Sequence, residues 1–365
     1  MRQIWKNSFH DQYIQATRRR IRGQGTLTHH VRIAALGRTI EVAEGETILA
    51  AALRAGVNYP AACESGTCAT CKSRLMAGEV RMLQHSPFAL SAEERAQGLV
   101  LACVSLPLSD CVITHDDLAG LTTPPVMTVS GRVVGLSDAT HDIKRIMVQP
   151  LGSPFEFLPG QFARLRFGTL PERDYSMASL PGEAPLEFHV RLVPGGAVSA
   201  YVHGTLRLGD MLSMHGPFGT AFLRTEPTGS ILAVAGGSGL APIHSIVSSA
   251  LRAGIGSDIH LYFGVRDERD LYLEDQFKAL ARRHANLRFV PVLSQPSDLT
   301  IRRRGFLADV LREDLRDVGG WTAYLAGPPV MVETCEAALF PMGLARDCCH
   351  ADPFYDQSHG PLGAP

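Results

Sequence analysis

The chain has 365 residues, with 35 lysines and arginines against 36 aspartates and glutamates, a formal net charge of −1. This balance argues against a strongly basic nucleic-acid-binding protein and against electrostatic attachment to an anionic membrane. Charged residues make up 19% and hydrophobic residues 45% of the chain, as in ordinary globular proteins. No run of about 18 apolar residues predicts a transmembrane helix.

Residues 1–30 are predicted to form a flexible, basic extension. The stretch contains three consecutive arginines, Arg18 to Arg20, which also occur in export signals. An export signal needs an apolar segment next, whereas this chain continues with Arg32, Arg38 and several glutamates. We therefore expect a cytoplasmic protein. In that reducing compartment, clustered cysteines bind metals or take part in redox chemistry more often than they form disulfides.

Residues 31–122 are predicted to form a first domain of the α+β class. Two short apolar runs typical of strands, beginning at Val31 and Arg38, are followed by a helical pattern that ends at Gly56. A loop with three cysteines comes next, and one more strand precedes a connector rich in threonine and proline. That connector, at residues 122–125, marks the predicted end of the domain.

Four cysteines in this domain have the spacing of a plant-type 2Fe-2S ligand set. They form the pattern C-x4-C-x2-C followed by one distant cysteine, and are Cys63, Cys68, Cys71 and Cys103. Small residues in the loop, including Gly66, would let backbone amides approach the sulfurs of the cluster. A zinc site is the alternative, although zinc ligands usually come in two close pairs. Cys111 is a second choice for the fourth ligand.

Residues 126–227 are predicted to form an antiparallel β-barrel, because short strands alternate with glycine and proline turns. In the strand "RDYSMAS", Arg173 can neutralise a phosphate, Tyr175 can lie along a flat heterocycle and Ser176 can bond its edge. Gly196 and Ser199 stand where a helix should begin, and free amides there favour an anion. Each pattern alone is also typical of an ordinary strand or turn. Their order within one barrel favours a cofactor site.

Residues 228–365 are predicted to form an α/β domain with a parallel sheet, because apolar strands alternate with helices. The segment "ILAVAGGSGLAPIHSIV" is a strand, a glycine turn and a helix, which would let a pyrophosphate approach the amides of the turn. A second glycine turn, at Gly327, ends a later strand on what should be the same edge of the sheet. Such turns are also common without a ligand.

Over nearly all of residues 31–355 the sequence resembles the ferredoxin–NAD(P)H reductase superfamily. Within it, the chain is most similar to reductase components of bacterial ring-hydroxylating oxygenases, of the naphthalene dioxygenase and salicylate hydroxylase type, with an N-terminal ferredoxin domain. The motifs that carry the resemblance are "THDIKRI", "PFEFLPGQFA", "RDYSMAS", "EFHVRLVPGGAVSAYV", "GPFGTAFLR", "GGSGLAPIHSIV", "LYFGVRDERDLY", "YLAGPPVMVE" and "HADPFY". The implied folds are a β-grasp ferredoxin domain, a β-barrel FAD domain and an α/β NAD-binding domain.

The resemblance implies a 2Fe-2S cluster, FAD and NAD(P)H as cofactors. The implied FAD-binding residues are Arg173, Tyr175, Ser176, Gly196, Val198, Ser199 and Phe354. The implied NAD-binding residues are Gly236, Gly237, Ser238, Gly239, Gly327 and Pro328. Phe354 would cover the flavin ring and yield to the nicotinamide; the alternative is a plain hydrophobic anchor for the C-terminal segment. Many relatives have a cysteine where this chain has Ala326, so any role of that thiol is absent here.

The resemblance further implies that NAD(P)H reduces FAD and that single electrons then pass through the cluster. The acceptor would be a Rieske-type ferredoxin or the terminal oxygenase of an aromatic-ring hydroxylating system. The cofactors carry this chemistry, so no catalytic side chain is predicted, and we expect a monomer. Asp267 and Glu268 would repel a 2′-phosphate although Arg266 and Arg269 could meet one, which favours NADH. The alternatives are a reductase for a soluble di-iron monooxygenase or a deoxysugar dehydratase, and a non-catalytic redox carrier or sensor.

Overall fold

The computed structural model describes residues 28–118, 123–225, 227, 229–297 and 300–355. The predicted extension therefore lies outside the described residues, except for its last three positions. Within these ranges, no helix combines the length and the apolar character needed to cross a lipid bilayer. Separate hydrophobic cores fill the N-terminal segment, the middle segment and the two faces of a C-terminal sheet.

The N-terminal segment is a mixed sheet packed against one main helix, as the α+β prediction requires. Its elements are β1 (Thr28–Ile33), β2 (Arg38–Ala43), α1 (Ile48–Arg54), β3 (Lys72–Ala77), β4 (Val80–Met82), α2 (Ala92–Ala96), β5 (Leu99–Leu101), β6 (Ser105–Pro107) and β7 (Cys111–Thr114). The strand order is β2-β1-β7-β3-β5, with β1 and β7 parallel, while β4 and β6 pair separately. The Thr47 hydroxyl caps α1 by accepting from the Ala50 amide at 3.2 Å, and the helix buries its apolar face in the core.

The middle segment is a six-stranded antiparallel barrel. Its elements are β8 (Met127–Asp138), β9 (Ile143–Leu151), β10 (Phe162–Phe167), β11 (Arg173–Ser176), β12 (Leu186–Arg191), α3 (Ala197–Gly204) and β13 (Met211–Phe218). The order is β11-β10-β13-β8-β9-β12, and a bridge between Met177 and Phe188 joins the two outer strands. The barrel is therefore nearly closed, which leaves little unpaired strand edge.

The C-terminal segment is a parallel sheet with helices on both faces. Its elements are β14 (Ile231–Gly236), α4 (Leu240–Arg252), β15 (Ile259–Val265), α5 (Glu274–Arg283), β16 (Leu287–Leu293), β17 (Arg303–Arg304), α6 (Leu307–Asp314), β18 (Thr322–Gly327), α7 (Pro329–Leu339) and β19 (Cys349–Pro353). The order is β17-β16-β15-β14-β18-β19. The sequence analysis missed β19, because its residues, CHADP, lack strand periodicity and form a strand by pairing with β18.

Candidate functional site

The four predicted cysteine ligands converge at one end of the N-terminal sheet. Three lie in the loop between α1 and β3, and Cys103 lies in a 3-10 turn after β5. Antiparallel pairing of β3 with β5 brings the two segments together, and the Ala102 amide donates to the Cys71 carbonyl at 3.1 Å. The Cys103 amide points at the Cys71 sulfur, 3.5 Å away. The fold thus delivers the distant cysteine to the loop, as the spacing predicted.

Backbone amides and neighbouring thiols surround the loop sulfurs. The Cys63 sulfur accepts from the amides of Ser65 and Thr67, at 3.4 and 3.3 Å. Hydrogen bonds from the thiols of Cys103 and Cys68 hold the pKa of Cys63 well below its usual range, although burial opposes this. The thiol of Cys103 likewise lowers the pKa of Cys71. The same contacts, together with burial, raise the pKa values of Cys68 and Cys103, so two of the four sulfurs are held toward the thiolate, the form that binds metal, and two toward the protonated form.

The spread of the sulfurs distinguishes iron-sulfur from zinc. Four sulfurs on one tetrahedral zinc would lie about 3.8 Å apart, given Zn–S bonds of about 2.3 Å. Among the described residues, however, the groups of three or more possible ligands that lie within 4.8 Å of one another do not include these cysteines. The thiols of Cys103 and Cys68 both contact the Cys63 sulfur, and the Cys103 thiol also contacts the Cys71 sulfur. Four cysteine sulfurs that spread more widely than one zinc ion requires suit two irons, so the residues fit a 2Fe-2S cluster.

The cluster loop needs unusual backbone conformations. Gly66 has φ of +77°, and a Cβ at this position would lie 3.0 Å from the His85 Cβ. Glu64 and Ala69 also have positive φ, of 53° and 64°. Non-glycine residues adopt this region at an energetic cost, and the surrounding structure must hold them there. Here the strain turns loop amides toward the sulfurs.

Of the predicted flavin residues of β11, Arg173 and Tyr175 are half-buried and Ser176 is buried. Arg173 donates to the Glu172 carbonyl at 2.6 Å, and burial raises the pKa of Tyr175. Because side chains alternate along a strand, Arg173 and Tyr175 point to the same face. The Ser176 hydroxyl donates to Asp352 Oδ2 at 3.2 Å, which joins β11 to the C-terminal strand.

The helix start predicted from Gly196 is present. Gly196 precedes α3, and none of the described side chains caps the first turn of this helix. The Ser199 hydroxyl instead accepts from the Val193 amide and donates to the Gly196 carbonyl, both at 3.1 Å, while Val198 packs in the barrel core. The uncapped amides of α3 and the guanidinium of Arg173 are both donors of the kind that bind a diphosphate, so these residues fit FAD.

A cavity of about 240 Å³ lies at the carboxyl edge of the parallel sheet, and Gly236, Gly237 and Pro328 are among its lining residues. Gly237 has φ of +55°, and an added Cβ would meet only the end of the Arg191 side chain, at 3.8 Å. Ser238 lies in the same turn, and no side chain in the described ranges caps α4. The turn therefore leaves amides accessible to a pyrophosphate.

Gly239 and Gly327 allow the two predicted glycine turns to pack closely against each other. A Cβ on Gly239 would lie 2.1 Å from the Ala326 carbonyl oxygen. A Cβ on Gly327 would lie 2.8 Å from the Gly236 carbonyl oxygen. The turn after β14 and the turn after β18 thus touch backbone to backbone, which only glycine permits.

Three charged residues of the cavity were missed by the sequence analysis: Asp142, Arg191 and Asp270. Arg191 ends β12 and donates to Asp142 Oδ2 at 3.2 Å. Arg266 donates to the same oxygen at 3.3 Å and lies 3.6 Å from Asp270. Burial of Asp142 opposes its ionised form, but the Thr140 hydroxyl and Arg191 lower its pKa. The position of Arg191 at the end of a strand was the available sequence signal for a binding role. Only the contact between the barrel and the parallel sheet places Arg191 in the cavity.

The C-terminal segment connects the three parts of the site. The Phe354 amide donates to the Gly327 carbonyl at 2.8 Å, so Phe354 lies beside the second glycine turn. Burial raises the pKa of Asp352 to about 7, although the Ser176 hydroxyl opposes the shift. Burial also raises the pKa of Tyr355, and Cys68 and Cys63 lie within electrostatic reach of it. Residues 352–355 therefore contact the flavin segment, the nucleotide turn and the surroundings of the cluster loop.

Comparison with known proteins matches the three segments separately. Residues 31–108 match the 2Fe-2S iron-sulfur cluster binding domain, residues 132–222 the oxidoreductase FAD-binding domain and residues 233–337 the oxidoreductase NAD-binding domain. The chain is 40% identical, over 85% of its length and 94% of the relative's, to the ferredoxin–NAD(P)+ reductase component of the naphthalene 1,2-dioxygenase/salicylate 5-hydroxylase systems of Ralstonia sp. This chain belongs to the same reductase family.

Two further similarities extend over nearly the whole reductase. It is 38% identical to the phenol 2-monooxygenase reductase component of Pseudomonas sp. strain CF600, over 92% of this chain and 96% of that protein. The crystal structure of an Amycolatopsis cytochrome P450 reductase superposes with a TM-score of 0.77 at 36% identity, covering 90% of this chain and 99% of that one. The reductase thus has 2Fe-2S, FAD and NAD-binding domains, and it transfers electrons from NAD(P)H to an oxygenase system.

Proposed function

We propose that the reductase acts as a monomer, oxidises NADH in preference to NADPH, and delivers single electrons to a Rieske-type ferredoxin or to the terminal component of an aromatic-ring hydroxylating oxygenase. The observation that carries the relay is the C-terminal segment, where Asp352 bonds Ser176 and Phe354 bonds Gly327. Tyr355 on the same segment lies near the cluster loop. One chain therefore supplies every part of the path from nucleotide to cluster.

The predicted side chains would each have a separate role in binding the cofactors. Bound FAD accepts a hydride and releases electrons one at a time, and a 2Fe-2S centre carries one electron. Arg173 and the amides at the start of α3 would bind the FAD diphosphate, with Tyr175 along the ring and Ser176 at its edge. The turn at Gly236 to Gly239 would hold the NADH pyrophosphate. Phe354 would shield the flavin ring from water until the nicotinamide displaces it.

The preference for NADH rests on carboxylates near the nucleotide cavity. Asp142 and Asp270 line it, and both already engage Arg266, one of the two arginines that line the cavity. Glu268 is held by Arg302, at 2.7 Å. These carboxylates would repel the 2′-phosphate of NADPH, whereas the ribose hydroxyls of NADH can donate hydrogen bonds to them. A kcat/KM higher with NADPH than with NADH would contradict this preference.

Anaerobic titration tests the function as a whole. The purified holoprotein should show flavin and iron-sulfur absorption bands that bleach together when NADH is added, and should regain them when a ferredoxin or oxygenase protein is supplied. A protein that binds no flavin, or that NADH does not reduce, would contradict the proposal and favour a non-catalytic carrier. Reoxidation by a phenol monooxygenase but not by a Rieske-type ferredoxin or a ring-hydroxylating oxygenase would support the second candidate, which the 38% identity to the phenol 2-monooxygenase reductase favours.

Asp352→Asn should abolish a pH-dependent loss of stability. The carboxyl has a pKa of about 7 when folded, against 3.8 for an ordinary aspartate, because burial disfavours its charged form. The folded state therefore holds a proton that the unfolded state has lost, and stability falls as pH rises from about 4 to about 7. Asparagine removes that cost, so the Tm of the variant should exceed that of the wild type at pH 8 and match it near pH 4. The difference at pH 8 is at most about 4 kcal/mol.

Calorimetry across this pH range measures the effect, with Asp347→Asn, an exposed aspartate of the same segment, as the control. Equal Tm differences at pH 4 and pH 8 would show that burial of the Asp352 charge is not the cause.

A further inference from the structure

The cluster loop is tied to the barrel by an arginine between two carboxylates. Arg164 lies on β10 and bonds Glu64 through Nη2 and Asp174 through Nε, the latter at 3.2 Å. Glu64 directly follows the ligand Cys63, and Asp174 stands between two predicted flavin residues. One side chain thus joins the loop that holds the cluster to the strand that holds the flavin, across 100 residues of sequence.

The environment of Arg164 makes this contact stronger than an ordinary surface ion pair. Its side chain is 20% exposed, while those of Glu64 and Asp174 are 41% and 47% exposed. The guanidinium also lies over the Phe218 ring, 5.0 Å from its centre. Packing against the ring already restricts the Arg164 side chain, so pairing with the carboxylates costs less conformational entropy than it would for a free arginine. A partly buried three-member network is less screened by salt than an isolated exposed pair.

A second contact fixes the same two domains. The Asn58 amide group donates to the Gly219 carbonyl at 3.0 Å and accepts from the Gly219 amide at 2.9 Å. Asn58 is 7% exposed, and Gly219 follows β13, the neighbour of β10. Two separate attachment points restrict both the distance and the rotation between the cluster loop and the barrel.

We propose that Glu64, Arg164 and Asp174 form a clamp that holds the cluster loop against the flavin strand and thereby sustains the rate at which electrons cross between them. The clamp rests on the flavin site placed on β11 under the proposed function. Each crossing moves one electron from the flavin side to the cluster side, and no bond is formed or broken in the protein. Arg164 is a positioning residue, because its role is to keep two sites in register.

Arg164→Gln in the holoenzyme tests the clamp at two points of the relay. Dye reduction by NADH, with a dye that accepts electrons from the flavin, should be unchanged. Reduction of cytochrome c through the cluster should fall about tenfold, equivalent to about 1.4 kcal/mol of docking free energy. Glu64→Gln should act in the same direction, and Arg164→Lys, which keeps the charge, should recover part of the rate.

Hydrogen–deuterium exchange provides a readout independent of activity. The Gly219 amide donates across the domain contact, so its exchange should accelerate in Arg164→Gln. The matched control is Arg166→Gln, two residues along the same strand, whose ion pair with Glu172 at 3.9 Å stays within the barrel. The control should change neither the rates nor the exchange.

The outcomes separate the clamp from the proposed function. Equal losses of dye and cytochrome c reduction, or loss of FAD, would overturn the clamp and make Arg164 part of the flavin site. Unchanged cytochrome c reduction with unchanged Gly219 exchange would overturn it as well. A wild-type protein that binds no FAD or does not oxidise NADH would contradict the proposed function itself, whatever the variants do.

Discussion

Cys103→Ser should abolish electron delivery to protein acceptors while NADH oxidation by a flavin-level dye continues. Cys103 is the distant cysteine of the predicted ligand set, and its amide and thiol both contact Cys71. A serine hydroxyl is a poor ligand for iron, so the cluster should be lost or become labile. Cytochrome c reduction should fall by more than about 100-fold, because outer-sphere changes alone cost metal sites about 10- to 100-fold. The barrel and the parallel sheet have their own cores and should keep their fold.

Cys111→Ser is the matched control for this variant. Cys111 is also a buried cysteine of the first domain, but its thiol donates to the carbonyls of Ser109 and Glu79, at 3.2 and 3.4 Å. The control should retain the iron-sulfur absorption bands, the electron paramagnetic resonance signal of the reduced cluster and cytochrome c reduction. A Cys103→Ser protein with an unaltered cluster signal, or a Cys111→Ser protein without one, would show that the ligand set is wrong.

Gly239→Ala should destabilise the NAD-binding domain by about 3 kcal/mol or more and abolish NADH oxidation. The added methyl group would lie 2.1 Å from the Ala326 carbonyl oxygen, which belongs to a central strand and cannot move aside as a flexible side chain could. Both glycine turns would be pushed apart, and with them the amides proposed to bind the pyrophosphate. The cluster absorption should persist, because the first domain has a separate core.

Gly256→Ala provides the comparison, since a Cβ at that position meets no atom within 4 Å and the residue follows α4 in the same domain. Thermal unfolding followed by calorimetry, together with steady-state NADH oxidation, measures both variants. A Gly239→Ala protein with wild-type Tm and activity would contradict the close packing of the two turns.

Several features of the reductase could be predicted from the sequence because each depends on residues close together in the chain. The C-x4-C-x2-C spacing predicted a 2Fe-2S site, and residues 31–108 match the 2Fe-2S iron-sulfur cluster binding domain. The alternation of strands and helices after Ile231 predicted the parallel sheet, which is confirmed. The strand pattern between residues 126 and 227 predicted the barrel for the same reason, since periodicity reports local backbone conformation.

Contacts between distant segments were decided only by the tertiary structure. Ser176 and Asp352 are 176 residues apart, and no periodicity marked Asp352, which lies in β19 and whose pKa is raised by burial. Gly239 was expected to admit a phosphate, yet its Cβ position is filled by a carbonyl of another strand. The bond between Arg164 and Glu64 spans two domains. Periodicity and spacing specify elements and ligands, whereas the packing of elements against one another specifies which of their side chains meet.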